Sequence, residues 1–170
     1  IFIRFAQGYT SSLTVAAFRL SFAVLFLLPL VLLRHRGEIA ALQGREWAFA
    51  LLSGLFLALH FATWITSLEF TTVASSVVLV STSPLWVAIL APVFLEESIT
   101  RAIVWGMGLA FLGGTIVGIS DTCTWSGGSL LCPSLAEFVH GGALLGDVLA
   151  LLGAIMGAGY LMVGRHLRAN

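Results

Sequence analysis

The residues able to do chemistry in this chain stand inside apolar runs. Residues 73–97 read VASSVVLVSTSPLWVAILAPVFLEE, with Ser81, Thr82, Ser83 and Pro84 together at the midpoint. The run is long enough to cross a bilayer, which takes ~20 residues of helix. Pro84 has no backbone N–H, so the carbonyl of Val80, four residues earlier, loses its helical partner and a kink is expected. Such breaks persist at membrane depth where protein or a watery cavity surrounds them. Ser76 and Ser83 share a helical face with Pro84, and that face is expected to point into the protein. Its hydroxyls either line a substrate path or bond back to their own carbonyls.

A second set lies on the preceding apolar run. His60, Thr63, Trp64 and Ser67 recur at helical spacing and form one polar and aromatic face. Histidine titrates near physiological pH, so His60 is a proton-relay candidate, or else a neutral ring bonded to a neighbouring helix. Trp64 and Trp86 are deep enough to line a pocket, whereas Trp47, Trp105 and Trp125 fall near expected interfaces and suit an aromatic belt. Arg19 lies about two turns inside another apolar run, where a bare charge costs about 2.5–3.5 kcal/mol. Arg4 is expected at similar depth on the adjacent helix. Their partners are Glu69, Asp147 or an anionic group on a substrate.

The elements that position these groups follow from composition. The chain is 59% hydrophobic and 9% charged with mean hydropathy +1.04, too apolar for a soluble domain of this length. An all-α, polytopic transmembrane bundle in a lipid bilayer is the expected fold. Lysine is absent and the formal net charge is zero, so no basic surface offers itself to nucleic acid. Residues 1–7 read as the last turns of a span whose start is missing, and an end at Asn170 just after a basic cluster again suggests a cut. Further spans are expected at 13–33, 48–68, from 73 to about 95, 102–119 and 143–163. Arg34, Arg36 and Arg45 crowd one loop, and alternation places Arg101, Arg165 and Arg168 on the same side, as the positive-inside rule requires of cytoplasmic ends. The long loop at 120–142 then falls outside.

Cys123 and Cys132 share that outer loop, where a disulfide is compatible with an oxidising compartment. Two cysteines with His140 make no metal site, and nothing calls for a cofactor. Ser134 to Glu137 fits a capping box that would start a short outer helix. Gly106, Ala110, Gly114 and Gly118 recur every four residues, and Gly153 and Gly157 repeat the spacing later in the chain. Small residues so placed let two helix backbones touch, inside the bundle or in a homodimer. An arginine closes both the first apolar segment, at Arg4, and the last, at Arg165. If the last segment begins a second copy, the two copies are inverted in the membrane, the usual build of secondary transporters.

Three segments resemble the EamA-like family of the drug/metabolite transporter superfamily: residues 13–33 (LTVAAFRLSFAVLFLLPLVLL), 67–100 (SLEFTTVASSVVLVSTSPLWVAILAPVFLEESIT) and 146–168 (GDVLALLGAIMGAGYLMVGRHLR). The resemblance covers nearly the whole chain, and its most specific parts are Arg19, the Ser83-Pro84 pair, Glu97 and Gly146-Asp147. The chain departs from the family around Glu97, where Glu96 and Ser98 stand in place of the family's frequent Gly and basic residue. The resemblance implies ten helices in two inverted five-helix repeats. Residues 1–119 would be a first repeat truncated at its start, 120–142 an extracytoplasmic loop and 143–170 the first helix of a second repeat. The implied activity is that of a multi-pass inner-membrane secondary transporter, an exporter, moving a small metabolite by alternating access. An intramembrane enzyme is the rival and would need a catalytic pair such as His with carboxylate at common depth, yet Glu69 and Asp147 fall near outer ends. A structural membrane protein is a third reading and would have no water-accessible cavity behind the polar faces. For a carrier, those faces are expected to bound a cavity walled by Trp64 and Trp86, with Arg19 near its outer mouth.

Overall fold

A computed structural model describes residues 2–94, 100–131 and 142–169. The described chain is a helical bundle. Helix α1 (Phe2–Gln7) turns into α2 (Ser12–Arg34), whose first turn is capped by the Ser11 side chain accepting from Thr14 N. A short α3 (Arg36–Ala41) leads to α4 (Gly44–Phe70), where Glu46 Oε2 accepts the Gln43 backbone N–H at 2.7 Å and satisfies a donor that the helix start leaves open. Then come α5 (Val73–Val80), α6 (Ser83–Phe94), α7 (Arg101–Thr122) and α8 (Gly142–Ala169). Four stretches are long and apolar enough to cross a membrane: Ser12–Arg34, Gly44–Phe70, Val73–Pro92 and Gly142–Arg168, with a shorter apolar stretch at Arg101–Ile116.

The loop after α7 carries an element not foreseen from its composition. Strands β1 (Thr124–Ser126) and β2 (Ser129–Leu131) pair antiparallel with Trp125 opposite Leu130. Gly127 and Gly128 join them at φ +59° and +80°, the left-handed pair that a two-residue hairpin turn requires.

Around Pro84 the expected kink is a full break. Ser81 and Thr82 leave the helix, and Pro84 sits in the first turn of α6, where its missing N–H costs nothing. The freed carbonyls are met locally. Ser83 Oγ donates to Val80 O at 2.9 Å and Thr82 Oγ1 to Leu79 O at 2.6 Å.

Helix α4 is the axis of the bundle. Along α8, Phe49 meets the His166 ring at 4.9 Å, Ser53 Oγ donates to Tyr160 O at 3.4 Å and Thr71 reaches Asp147, so the two helices run antiparallel over nearly their whole length. Ile65 of α4 and Ala150, Ala154 and Ala158 of α8 are fully buried. Helix α2 also runs against α4, with Ser12 beside Ile65 and Arg19 beside Phe61. These directions match the alternation expected from the arginine-rich ends.

Candidate functional site

The polar faces of α4 and α5 meet each other. Ser67 Oγ donates to Trp64 O at 2.6 Å, which uses its only proton, so it accepts from Ser76 Oγ at 2.6 Å; both serines are fully buried. Thr63 Oγ1 turns back to Leu59 O at 2.8 Å. At Ser67 and Ser76 the two faces meet directly, and each hydroxyl is satisfied within the protein. Pro84 is exposed and does not join Ser76 and Ser83 on the inner face. Ser83 points toward α8, where a Cβ on Gly157 would come within 3.0 Å of its Oγ. Trp86 is half-buried on α6.

His60 is held at mid-helix. Its Nδ1 lies 2.7 Å from Gly153 O on α8, so this nitrogen carries the proton and donates. Gly157 makes room for the ring, since a Cβ there would lie 2.9 Å from Nδ1. Phe61 and Trp64 pack beside it, with ring centroids 4.9 and 5.8 Å from the imidazole. The arrangement matches a histidine bonded to a neighbouring helix, one of the two roles open to it from sequence.

Arg19 completes this aromatic group from α2. Its guanidinium carbon lies 4.8 Å from the centroid of Phe61 and 5.8 Å from that of Trp64. Among the described residues it makes no ion pair with a carboxylate. Two ring contacts, each about 2 kcal/mol where desolvated, are of the same order as the about 2.5–3.5 kcal/mol that an arginine costs within the bilayer. Trp64 Nε1 and Gln7 Oε1 are buried without a hydrogen-bond partner among the described residues.

The expected partners of the two arginines are engaged elsewhere. Asp147 Oδ1 accepts from Thr71 Oγ1 and from Ser75 Oγ, both at 2.8 Å. Ser12 Oγ donates to Glu69 Oε1 and accepts from Gln7 Nε2 at 2.6 Å, while Gln7 Nε2 also reaches Ile65 O at 2.7 Å. Arg4 Nη1 donates to Thr71 O at 2.9 Å. This cluster at the C-terminal end of α4 ties α1, α2, α4, α5 and α8 together, and the sequence reading missed it as a unit. The one available signal was Gly146 next to Asp147: a Cβ on Gly146 would sit 2.7 Å from Thr71 N, so only glycine lets the carboxylate come so close to Thr71 and Ser75.

The small-residue positions divide. Gly153 and Gly157 are buried against α4. On α7, Gly114 faces Val78 of α5 at 2.8 Å from an added Cβ, whereas Gly106 is open and Ala110 exposed. Gly118 follows on the next turn. Cys123 is disulfide-bonded, and Cys132 lies outside the described residues, as do Glu96, Glu97, Ser98, His140 and the capping box at 134–137. No group of three metal-ligating side chains occurs among the described residues. A cavity of about 200 Å³ lies at the opposite end of the bundle from the Asp147 cluster, lined by Gln43, Arg45, Glu46, Phe49, His166 and Leu167. Arg45 stacks over Phe49 there, 5.6 Å from the ring centroid.

In comparison with known proteins, the model of the EamA-like transporter family matches residues 1–119. No curated protein and no solved structure matches the chain.

Proposed function

Because the chain belongs to the EamA-like transporter family, we propose that it works as a secondary transporter that exports a small metabolite across the inner membrane by alternating access. Transport is the business of this family, and four apolar helices make the chain a multi-pass membrane protein. The observation that carries the finer reading is Arg19: a guanidinium within an apolar span, laid over Phe61 and Trp64 and without a carboxylate partner among the described residues. Charges at such depth mark substrate and ion pathways. Arg19, Trp64 and His60 therefore form the substrate-facing group, while Ser67, Ser76 and Ser83 hold the helices that present it.

Two further features support inverted repeats and sidedness. The closing turn of α1 lies at the C-terminal end of α4, through Arg4 and Thr71, and that of α8 at its N-terminal end, through His166 and Phe49. Segments related by inversion should end on opposite sides in this way. Cys123, disulfide-bonded, stands on the loop assigned to the outside, where thiols oxidise. An intramembrane hydrolase is less well supported. The carboxylate of Asp147 pairs with Thr71, eleven residues beyond His60 along α4, or roughly 16 Å at the helical rise.

The test is a comparison of cells expressing the protein with cells expressing Trp64→Ala. The wild type should enrich at least one small metabolite in the medium, and the variant should lose that enrichment while reaching the membrane fraction in equal amount. If the wild type enriches nothing, or the variant matches it, the reading is wrong.

A further inference from the structure

We infer that the transported molecule carries a carboxylate, bound by the guanidinium of Arg19 beside the rings of Phe61 and Trp64. This rests on the transport reading and names the substrate class for the same site. The argument is an inventory of charges and donors. The charged side chains whose contacts are described in the half of the bundle near the C-terminal end of α4 include Arg4, Arg19, Glu69 and Asp147. Asp147 Oδ1 already accepts two hydroxyls, Glu69 accepts the Ser12 hydroxyl, and Arg4 donates to the Thr71 carbonyl. Of these, Arg19 alone has neither a carboxylate nor a hydrogen-bond acceptor among the described residues.

What surrounds Arg19 suits an anion. A guanidinium has five N–H donors in its plane and no acceptor. Its contacts with Phe61 and Trp64 are with ring faces, which engage the charge and leave those donors without an acceptor. Arg19 is exposed, so those donors are open to a ligand. The guanidinium thus offers donors and positive charge at one place, which suits an acceptor that is also an anion. A planar carboxylate meets a guanidinium with two parallel hydrogen bonds. A cationic substrate would meet like charge, and a neutral one would leave the guanidinium uncompensated. A lipid phosphate shares the anionic chemistry, so the experiment separates the two.

The protein is purified in a maltoside micelle free of phospholipid and titrated with matched pairs of an acid and its amide: benzoate with benzamide, and indole-3-acetate with indole-3-acetamide. Thermal stabilisation gives the apparent Kd. At least one acid should bind about tenfold or more tighter than its amide, since hydrogen bonds to a charged group are the stronger ones. Arg19→Gln should erase the preference, and Arg19→Lys should restore part of it. Acids and amides binding alike, or a preference that survives Arg19→Gln, overturns the inference. So does stabilisation by phosphatidylglycerol through Arg19 with no response to the acids, because the partner is then a lipid. An acid that binds through Arg19 yet is never moved across proteoliposomes leaves the carboxylate site standing and removes the transport reading instead.

Discussion

Helices α7 and α8 carry the same kind of small-residue stripe and use it differently. On α8, Gly146, Gly153 and Gly157 lie buried against α4, at distances where a single added carbon would reach the Thr71 backbone, Thr63 Oγ1 or the His60 ring. On α7, Gly114 alone of the described glycines in its stripe meets a neighbour, the Val78 side chain, and Gly106 has open space above it. Spacing of this kind permits two backbones to approach, but the approach happens only where the facing helix offers matching groups. Helix α4 offers them. Its Thr71 backbone fits over Gly146, and its His60 finds the Gly153 carbonyl exposed by the absence of side chains.

Substitutions that add one carbon to each stripe should separate the two regions in sign. Gly146→Ala has the largest expected effect, a loss of about 3 kcal/mol, because the new methyl meets backbone that cannot rotate away. Gly157→Ala should cost less, about 1–2 kcal/mol, since His60 and Ser83 are side chains that can shift. Thermal unfolding in detergent reads both, and an unchanged midpoint for Gly146→Ala would mean that α4 and α8 do not meet as described. Asp147→Ala tests whether the seam is held by polar contacts as well as by shape. It removes the acceptor of two hydroxyls, one of them on buried Thr71, and should destabilise by about 2 kcal/mol. The companion variant Thr71→Val should then add little to Asp147→Ala, because the bond it removes is already lost in that variant; full additivity would show that the carboxylate and Thr71 do not interact. Gly106→Ala has the smallest expected effect and the opposite sign. Alanine is favoured over glycine in a helix interior by about 0.5–1 kcal/mol, so the midpoint should rise slightly. A fall would mean that a partner helix covers this part of α7.

The serine and arginine positions show how much of the site was legible. The break before Pro84 followed from one missing N–H, and its satisfaction by neighbouring hydroxyls needed only residues three positions away. The conjunction of Arg19 with Phe61 and Trp64, by contrast, depends on the register between α2 and α4, and Phe61 gave no sign of a role on its own helix. Asp147 was visible as a charge near a helix start, while its partners Thr71 and Ser75 stand more than seventy residues earlier in the chain. How the faces of α4 and α5 meet was hidden for a related reason. Two polar faces joined by a short turn can enclose water or bond to each other, and the outcome turned on Ser67 and Ser76 coming within 2.6 Å.

What the sequence alone determined were the properties that each segment carries by itself: which stretches are apolar enough to cross a bilayer, where a helix must break, and which ends gather arginine. Hydropathy, a proline ring and the distribution of charge act within a few turns, so no partner is needed to read them. Only the tertiary structure decided which small-residue stripe is covered, which hydroxyl meets Asp147 and which rings lie under Arg19. Those pairings depend on the axial register and rotation of one helix against another. A shift of a single turn, about 5.4 Å, would exchange every one of them while leaving the apolar pattern of both helices intact.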